Sequence, residues 1–115
     1  MEPIVVLVTA ASADEAARLA DVLVEERLAA CVNIVAGVQS VYRWQGTIER
    51  AAEWLLIIKT LRARLPDLIP RVQALHSYTV PEIIVLPVQG GSDGYLSWLV
   101  EQARPSTPSG GTGGG

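Results

Sequence analysis

From Val38 onward the side chains alternate, and the alternation lasts longer than a chain of this size can cover by itself. Val38, Ser40, Tyr42 and Trp44 share one face of an extended segment, while Gln39, Val41, Arg43 and Gln45 share the other. Gln45-Gly46 supplies a turn, with the glycine free to take a positive φ. Thr47–Thr60 returns as a second strand that ends in the apolar run WLLIIKT. The two arms outrun the mean strand of about five or six residues. The hairpin tip, carrying Tyr42 and Trp44, is therefore expected to lean on another subunit.

Composition points the same way. The chain has 115 residues, enough for one domain, and 50% of them are hydrophobic against 18% charged. A domain this small buries only about two-thirds of its unfolded surface. The surplus apolar side chains need either a membrane or a partner. The longest unbroken apolar run, Trp54–Ile58, is five residues, against about 20 for a spanning helix. No membrane partner is expected, and an obligate oligomer is, because such interfaces resemble a core cut in half. The net charge of −3 argues against nucleic acid as a partner. Cys31 is the only cysteine, so no internal disulfide can form. Met1-Glu2-Pro3 is not followed by a basic segment and a small-residue cleavage site, so the cytoplasm is the expected compartment. Residues 104–115, RPSTPSGGTGGG, read as a flexible Gly/Ser/Pro tail beyond a single domain at 1–103.

The other elements follow from periodicity and punctuation. Ile4–Thr9 is a β-branched run fit for a buried strand. Ser12 with Glu15 forms a capping box, and Ala16, Leu19, Ala20, Leu23 and Val24 make the inner stripe of a helix reaching about Arg27. Cys31–Val35 resumes a strand. Ala63–His76 is a second helix with Pro66 in its first turn, and Pro70 predicts a kink or a start near Asp67. Glu82–Val88 is a strand that Pro87 confines to an edge or bulge. Ser92 or Asp93 caps a last helix with Leu96, Leu99, Val100 and Ala103 inside. The order β-α-β-β-α-β-α describes an α+β fold: a ferredoxin-like βαββαβ antiparallel sheet with an extra C-terminal helix and a long hairpin.

Candidate chemistry is sparse. His76 is the only histidine and has no acidic neighbour in sequence to orient it as a base. A Cys31/His76 pairing would need the fold to bring the two together. Cys31, within LAACVNI, also reads as a small buried hydrophobe. No phosphate-binding glycine motif and no metal-ligand spacing is present. Glu53 and Glu82 flank hydrophobic strand runs, and Lys59 stands where it could neutralise one of them. The hairpin aromatics, with Arg43 and Arg50 nearby, read as interface anchors rather than as base-stacking platforms.

In five stretches the sequence resembles the CutA family of divalent-cation tolerance proteins: VLVTA at 6–10, VEERLAACVNIVAGVQSVYRWQGTIE at 24–49, LLIIKT at 55–60, VPEIIVLPV at 80–88 and DGYLSWL at 93–99. The resemblance implies a homotrimer with a PII-like fold, in which the hairpin crosses onto a neighbour. It implies no assigned reaction, and a divalent metal ion such as copper as the candidate cofactor. It places Tyr42, Trp44, Lys59, Tyr78 and Glu82 at inter-subunit clefts or interfaces, and Gly46 and Pro81 also stand where the family has them. For metal it offers His76, together with Cys31 from the Ala-Cys-Val-Asn pattern. The copper ligands proposed in the family would otherwise fall at Val8 and Leu75, which cannot ligate, and Ser77 replaces a usual proline.

Three functions are thereby weighed. The first is a non-enzymatic trimeric protein of copper tolerance, any metal being held by His76 with Glu or Tyr neighbours across a subunit boundary. The second is a PII-like signalling protein that binds a small anionic ligand between subunits through Lys59 and Arg43. The third, an acylphosphatase-type enzyme using Asn33, lacks an arginine in the loop Ala10-Ala11-Ser12-Ala13 after the first strand.

Overall fold

The computed structural model describes residues 1–105; the predicted tail falls outside the described residues from 106 on. Strand β1 (Pro3–Ala10) leads into helix α1 (Ala13–Glu25), and β2 (Cys31–Trp44) and β3 (Thr47–Leu61) form the hairpin. A single 3-10 turn, Arg62–Arg64, precedes α2 (Leu65–Leu75); β4 (Ile84–Pro87) and α3 (Asp93–Ala103) complete the chain. The sheet order is β2-β3-β1-β4, antiparallel throughout. This is the βαββαβ plan expected from the sequence, with α3 added.

Local chemistry explains the boundaries. The Ser12 side chain accepts from the Glu15 N–H at 3.1 Å, so α1 begins where the capping box predicts. Its end falls earlier than Arg27. Arg27 takes φ 60°, its N–H bonds Val24 O, and the Leu28 N–H bonds Leu23 O. That is a Schellman closure with arginine in the place glycine usually occupies. Helix α2 runs through Pro70, with the 3-10 turn standing ahead of Pro66. The hairpin turn has positive φ at both Gln45 (50°) and Gly46 (81°), the type I′ geometry that matches strand twist. β4 is an edge strand paired only with β1, as Pro87 requires.

One face of the sheet carries the core. Ile4, Val6 and Val8 of β1 and Leu56 and Ile58 of β3 pack with Leu19 and Leu23 of α1 and Leu68 and Val72 of α2, all inaccessible or nearly so. Each such side chain contributes about 1.5–3 kcal/mol on burial. Among the described residues the opposite face is covered only at one end, where α3 sets Leu99 and Ala103 against Leu61 and Ala30. Elsewhere it lies open. Leu7, Ile57 and Ile84 align across three strands, and Val35, Ile84 and Leu86 are 41%, 48% and 43% exposed. Beyond the end of β1 the hairpin continues without a third strand among the described residues, which measure 53 × 29 × 22 Å.

Candidate functional site

The hairpin leaves the sheet at Trp54, the last β3 residue paired with β1. Glu53 is the next position along β3 towards the hairpin tip. The segment after α2 folds back to meet it, and between the two lies a cleft of about 810 Å³. Tyr42 and Trp44 line it from the hairpin, and Tyr78 and Glu82 from the returning segment. The Tyr78 hydroxyl donates to Glu53 Oε2 at 2.7 Å. Burial, then the hydrogen bond and charge of Glu53, push the Tyr78 phenol up to about 12. Tyr78 therefore stays a neutral donor at physiological pH. Glu53 itself is 6% exposed. Among the described residues its Oε1 accepts no hydrogen bond.

His76 holds the returning segment in place. Its side chain is fully enclosed. Nε2 lies 2.7 Å from Thr9 O, a carbonyl that can only accept, and Nδ1 accepts the Tyr78 N–H at 3.0 Å. These partners fix the tautomer with the proton on Nε2. Glu15 adds a second tie. Its Oε1 accepts from the Ala11 N–H at 2.9 Å and its Oε2 from the Ser77 N–H at 2.6 Å. Partial burial pushes the Glu15 carboxyl up, but these two N–H donors more than offset that and hold it below the ordinary carboxylate range.

The fold separates the two predicted metal ligands. Cys31 pairs with Lys59, whereas Thr9, the partner of His76, pairs with Leu55. Four ladder steps of about 3.4 Å each, plus an intervening strand, lie between them. Cys31 is half-buried, with its sulfur 3.9 Å from Asn33 Oδ1. Among the described residues no three His, Cys, Asp or Glu side chains gather to hold a metal ion. Neither nitrogen of His76 offers a free lone pair. Within one chain these residues do not fit a resident copper ion.

Of the predicted cleft residues, Tyr42, Trp44, Tyr78 and Glu82 come together, and Lys59 does not. Lys59 sits six residues from Glu53 along β3, about 20 Å by strand rise. Its ammonium lies 5.8 Å from the Tyr95 ring centroid instead. The Glu53–Tyr78 bond escaped sequence reasoning, because only the fold joins positions 25 residues apart.

A four-stranded βαββαβ sheet with an overgrown hairpin, an extra helix and a cleft at the hairpin base defines a narrow class of small α+β proteins. The CutA1 divalent ion tolerance protein family matches residues 4–102. The divalent-cation tolerance protein CutA of Thermus thermophilus is 55% identical over 97 residues, covering 84% of this chain and 94% of that protein. The chloroplastic protein CutA of Arabidopsis thaliana is 50% identical over 101 residues, 88% of this chain and 56% of the plant protein. The crystal structure of CutA1 from Oryza sativa superposes with a TM-score of 0.89 at 48% identity, covering 92% of this chain and 97% of that one. The chain belongs to the CutA1 family of divalent ion tolerance proteins.

Proposed function

We propose that the protein acts as a homotrimer in cellular tolerance of divalent cations, copper among them, and catalyses no reaction. The observation that carries the assembly is the open sheet face. Leu7, Ile57 and Ile84 form an apolar band that α3 leaves uncovered, together with exposed Val35 and Leu86. A contiguous apolar surface of this kind marks an interaction site. The threefold order and the PII-like arrangement come from the family resemblance. Among the described residues no helix is long and apolar enough to cross a membrane. We place the trimer in the cytoplasm, where a single unpaired cysteine stays reduced.

Light scattering on the eluted protein tests the assembly. A mass of about 37 kDa, three copies of the 12.3 kDa chain, supports the closed trimer, and a stable species of one chain's mass overturns it. Growth of cells with and without the gene across graded Cu²⁺, Zn²⁺ and Co²⁺ tests the tolerance. Identical sensitivity to all three removes that reading. The alternative, a small anion held by Lys59 and Arg43, draws less support, since neither side chain lines the cleft.

A further inference from the structure

Beyond the sheet, the hairpin presents two different faces. Directly paired residues share a face, so Val38 with Glu53, Tyr42 with Glu49 and Trp44 with Thr47 stand on one side. Val41 with Arg50 and Arg43 with Ile48 stand on the other. The first side is aromatic and acidic, the second aliphatic and basic. Each leaves large apolar side chains exposed, Tyr42 and Trp44 on the one and Val41 and Ile48 on the other. Neither set of charges is ion-paired among the described residues. Arg43 and Arg50 there make no salt bridge and no side-chain hydrogen bond, in contrast to Arg62, Arg64, Arg71 and Arg104. Glu53 is only 6% exposed, yet of its two oxygens only Oε2 is engaged, by the Tyr78 hydroxyl. A carboxylate withdrawn from water is costly unless paired. Strand alternation keeps the chain's own Arg43 and Arg50 on the far side of the hairpin from it.

We propose that the two faces are complementary halves of one contact between copies of this chain. The basic face of one hairpin seats on the acidic face of the next copy, two arginines opposite two carboxylates, and Glu53 Oε1 takes a guanidinium. This seating rests on the homotrimer proposed above and adds what orders the copies within it. A closed ring is built from heterologous contacts, in which one patch meets a different patch of the same chain. The hairpin carries both patches. Its acidic face runs on into the open apolar band, because Glu53, Leu55 and Ile57 alternate onto one side of β3. Opposite charges set the register and reject a wrong seating, since like faces would bring two arginines or two carboxylates together. A guanidinium offers a carboxylate two parallel N–H donors, which suits the oxygen that the Tyr78 hydroxyl leaves free.

The test refolds two variant chains together. One carries Glu49→Gln with Glu53→Gln, and the other carries Arg43→Gln with Arg50→Gln. A ring made of either variant alone has no intact charge contact, whereas every mixed ring has one, where the acidic face of the second variant meets the basic face of the first. Native mass spectrometry is expected to show mixed rings about tenfold above their statistical share. A statistical mixture overturns the proposal, because charges acting within one chain would weaken every ring alike. Charge reversal gives a second measurement that needs no Glu53 variant and so stands if that chain does not fold. Arg43→Glu with Arg50→Glu is expected to lower the unfolding equilibrium constant of the assembled protein in guanidinium chloride about tenfold more than Arg18→Glu on the exposed side of α1. Equal losses overturn the proposal. An unaltered protein of one chain's mass in light scattering removes the trimer and this seating together, whereas a trimeric protein with statistical mixing removes the seating alone.

Discussion

His76→Ala separates a structural imidazole from a metal-binding one. The ring is fully enclosed and uses both nitrogens, on Thr9 O at 2.7 Å and the Tyr78 N–H at 3.0 Å. Truncation strands two polar groups in a poorly hydrated site, at about 1–3 kcal/mol each. Loss of the buried ring adds a cavity term of similar size. The expected destabilisation is about 3–5 kcal/mol, a large share of a domain's 5–15 kcal/mol. Conservative variants should recover about half of it by different routes, each restoring one bond. In His76→Asn the new amide oxygen would sit near the former Nδ1 and accept from the Tyr78 N–H. In His76→Gln the longer side chain would bring its amide N–H to Thr9 O. Urea unfolding at fixed protomer concentration reads the effect, because assembly makes stability concentration-dependent. Cu²⁺ calorimetry on His76→Asn supplies the second readout, and unchanged binding is expected. A His76→Ala protein within about 1 kcal/mol of the parent that no longer binds Cu²⁺ would refute the reasoning.

Two further outcomes follow from particular side chains. Glu15 has its folded-state pKa held below its unfolded value, so its contribution is complete above about pH 4.3 and is lost as pH falls through the lower folded value. Glu15→Gln is therefore expected to cost about 1–2 kcal/mol at pH 7 and to flatten the acid limb of the stability curve; an unchanged acid-unfolding profile contradicts this. Pro70 stands inside α2 and denies the Pro66 carbonyl its helical donor. Pro70→Ala should stabilise the protein by about 2 kcal/mol, the helix gain less the added unfolded-chain entropy, as read by chemical denaturation.

Where neighbours in sequence decide the structure, the residues are legible. Ser12 and Glu15 mark the start of α1, Gln45-Gly46 marks the hairpin turn, and Pro87 marks an edge. Even there, part of the chemistry is tertiary. The Glu15 carboxylate does not return to the Ser12 N–H as a capping box would have it, but bridges Ala11 to Ser77, 62 residues away. Lys59 shows the limit from the other side. Its position in the run WLLIIK suggests a partner for Glu53 or Glu82, but six residues of extended chain carry it to Tyr95. Arg27 carries no signal of a left-handed residue. It closes α1 because α3 accepts it there, its guanidinium donating to Glu101 O at 2.8 Å. The Glu53–Tyr78 pair and the enclosure of His76 depend on where α2 delivers the chain, which no local pattern encodes.

The cleft owes its aromatic walls to one irregularity in β2. Val35 pairs with Leu55 but Val38 pairs with Glu53, so β2 spends one residue more than β3 across this step, with Gly37 at φ 79°. Directly paired residues share a face. Cys31, Asn33 and Val35 therefore stand on the side of Lys59, Ile57 and Leu55, and the bulge shifts the parity so that Val38, Ser40, Tyr42 and Trp44 continue on that side with Glu53. In a regular strand Gln39, Val41 and Arg43 would stand there instead, and a basic side chain would share the face of the buried carboxylate. A glycine inside a strand pattern is the sequence-level sign of such a bulge. A Cβ at Gly37 would meet no atom within 4 Å, so the demand for glycine comes from backbone conformation rather than from crowding. Gly37 thus acts at a distance on the cleft: it decides which half of the alternating hairpin, the aromatic or the basic, is presented beside Glu53.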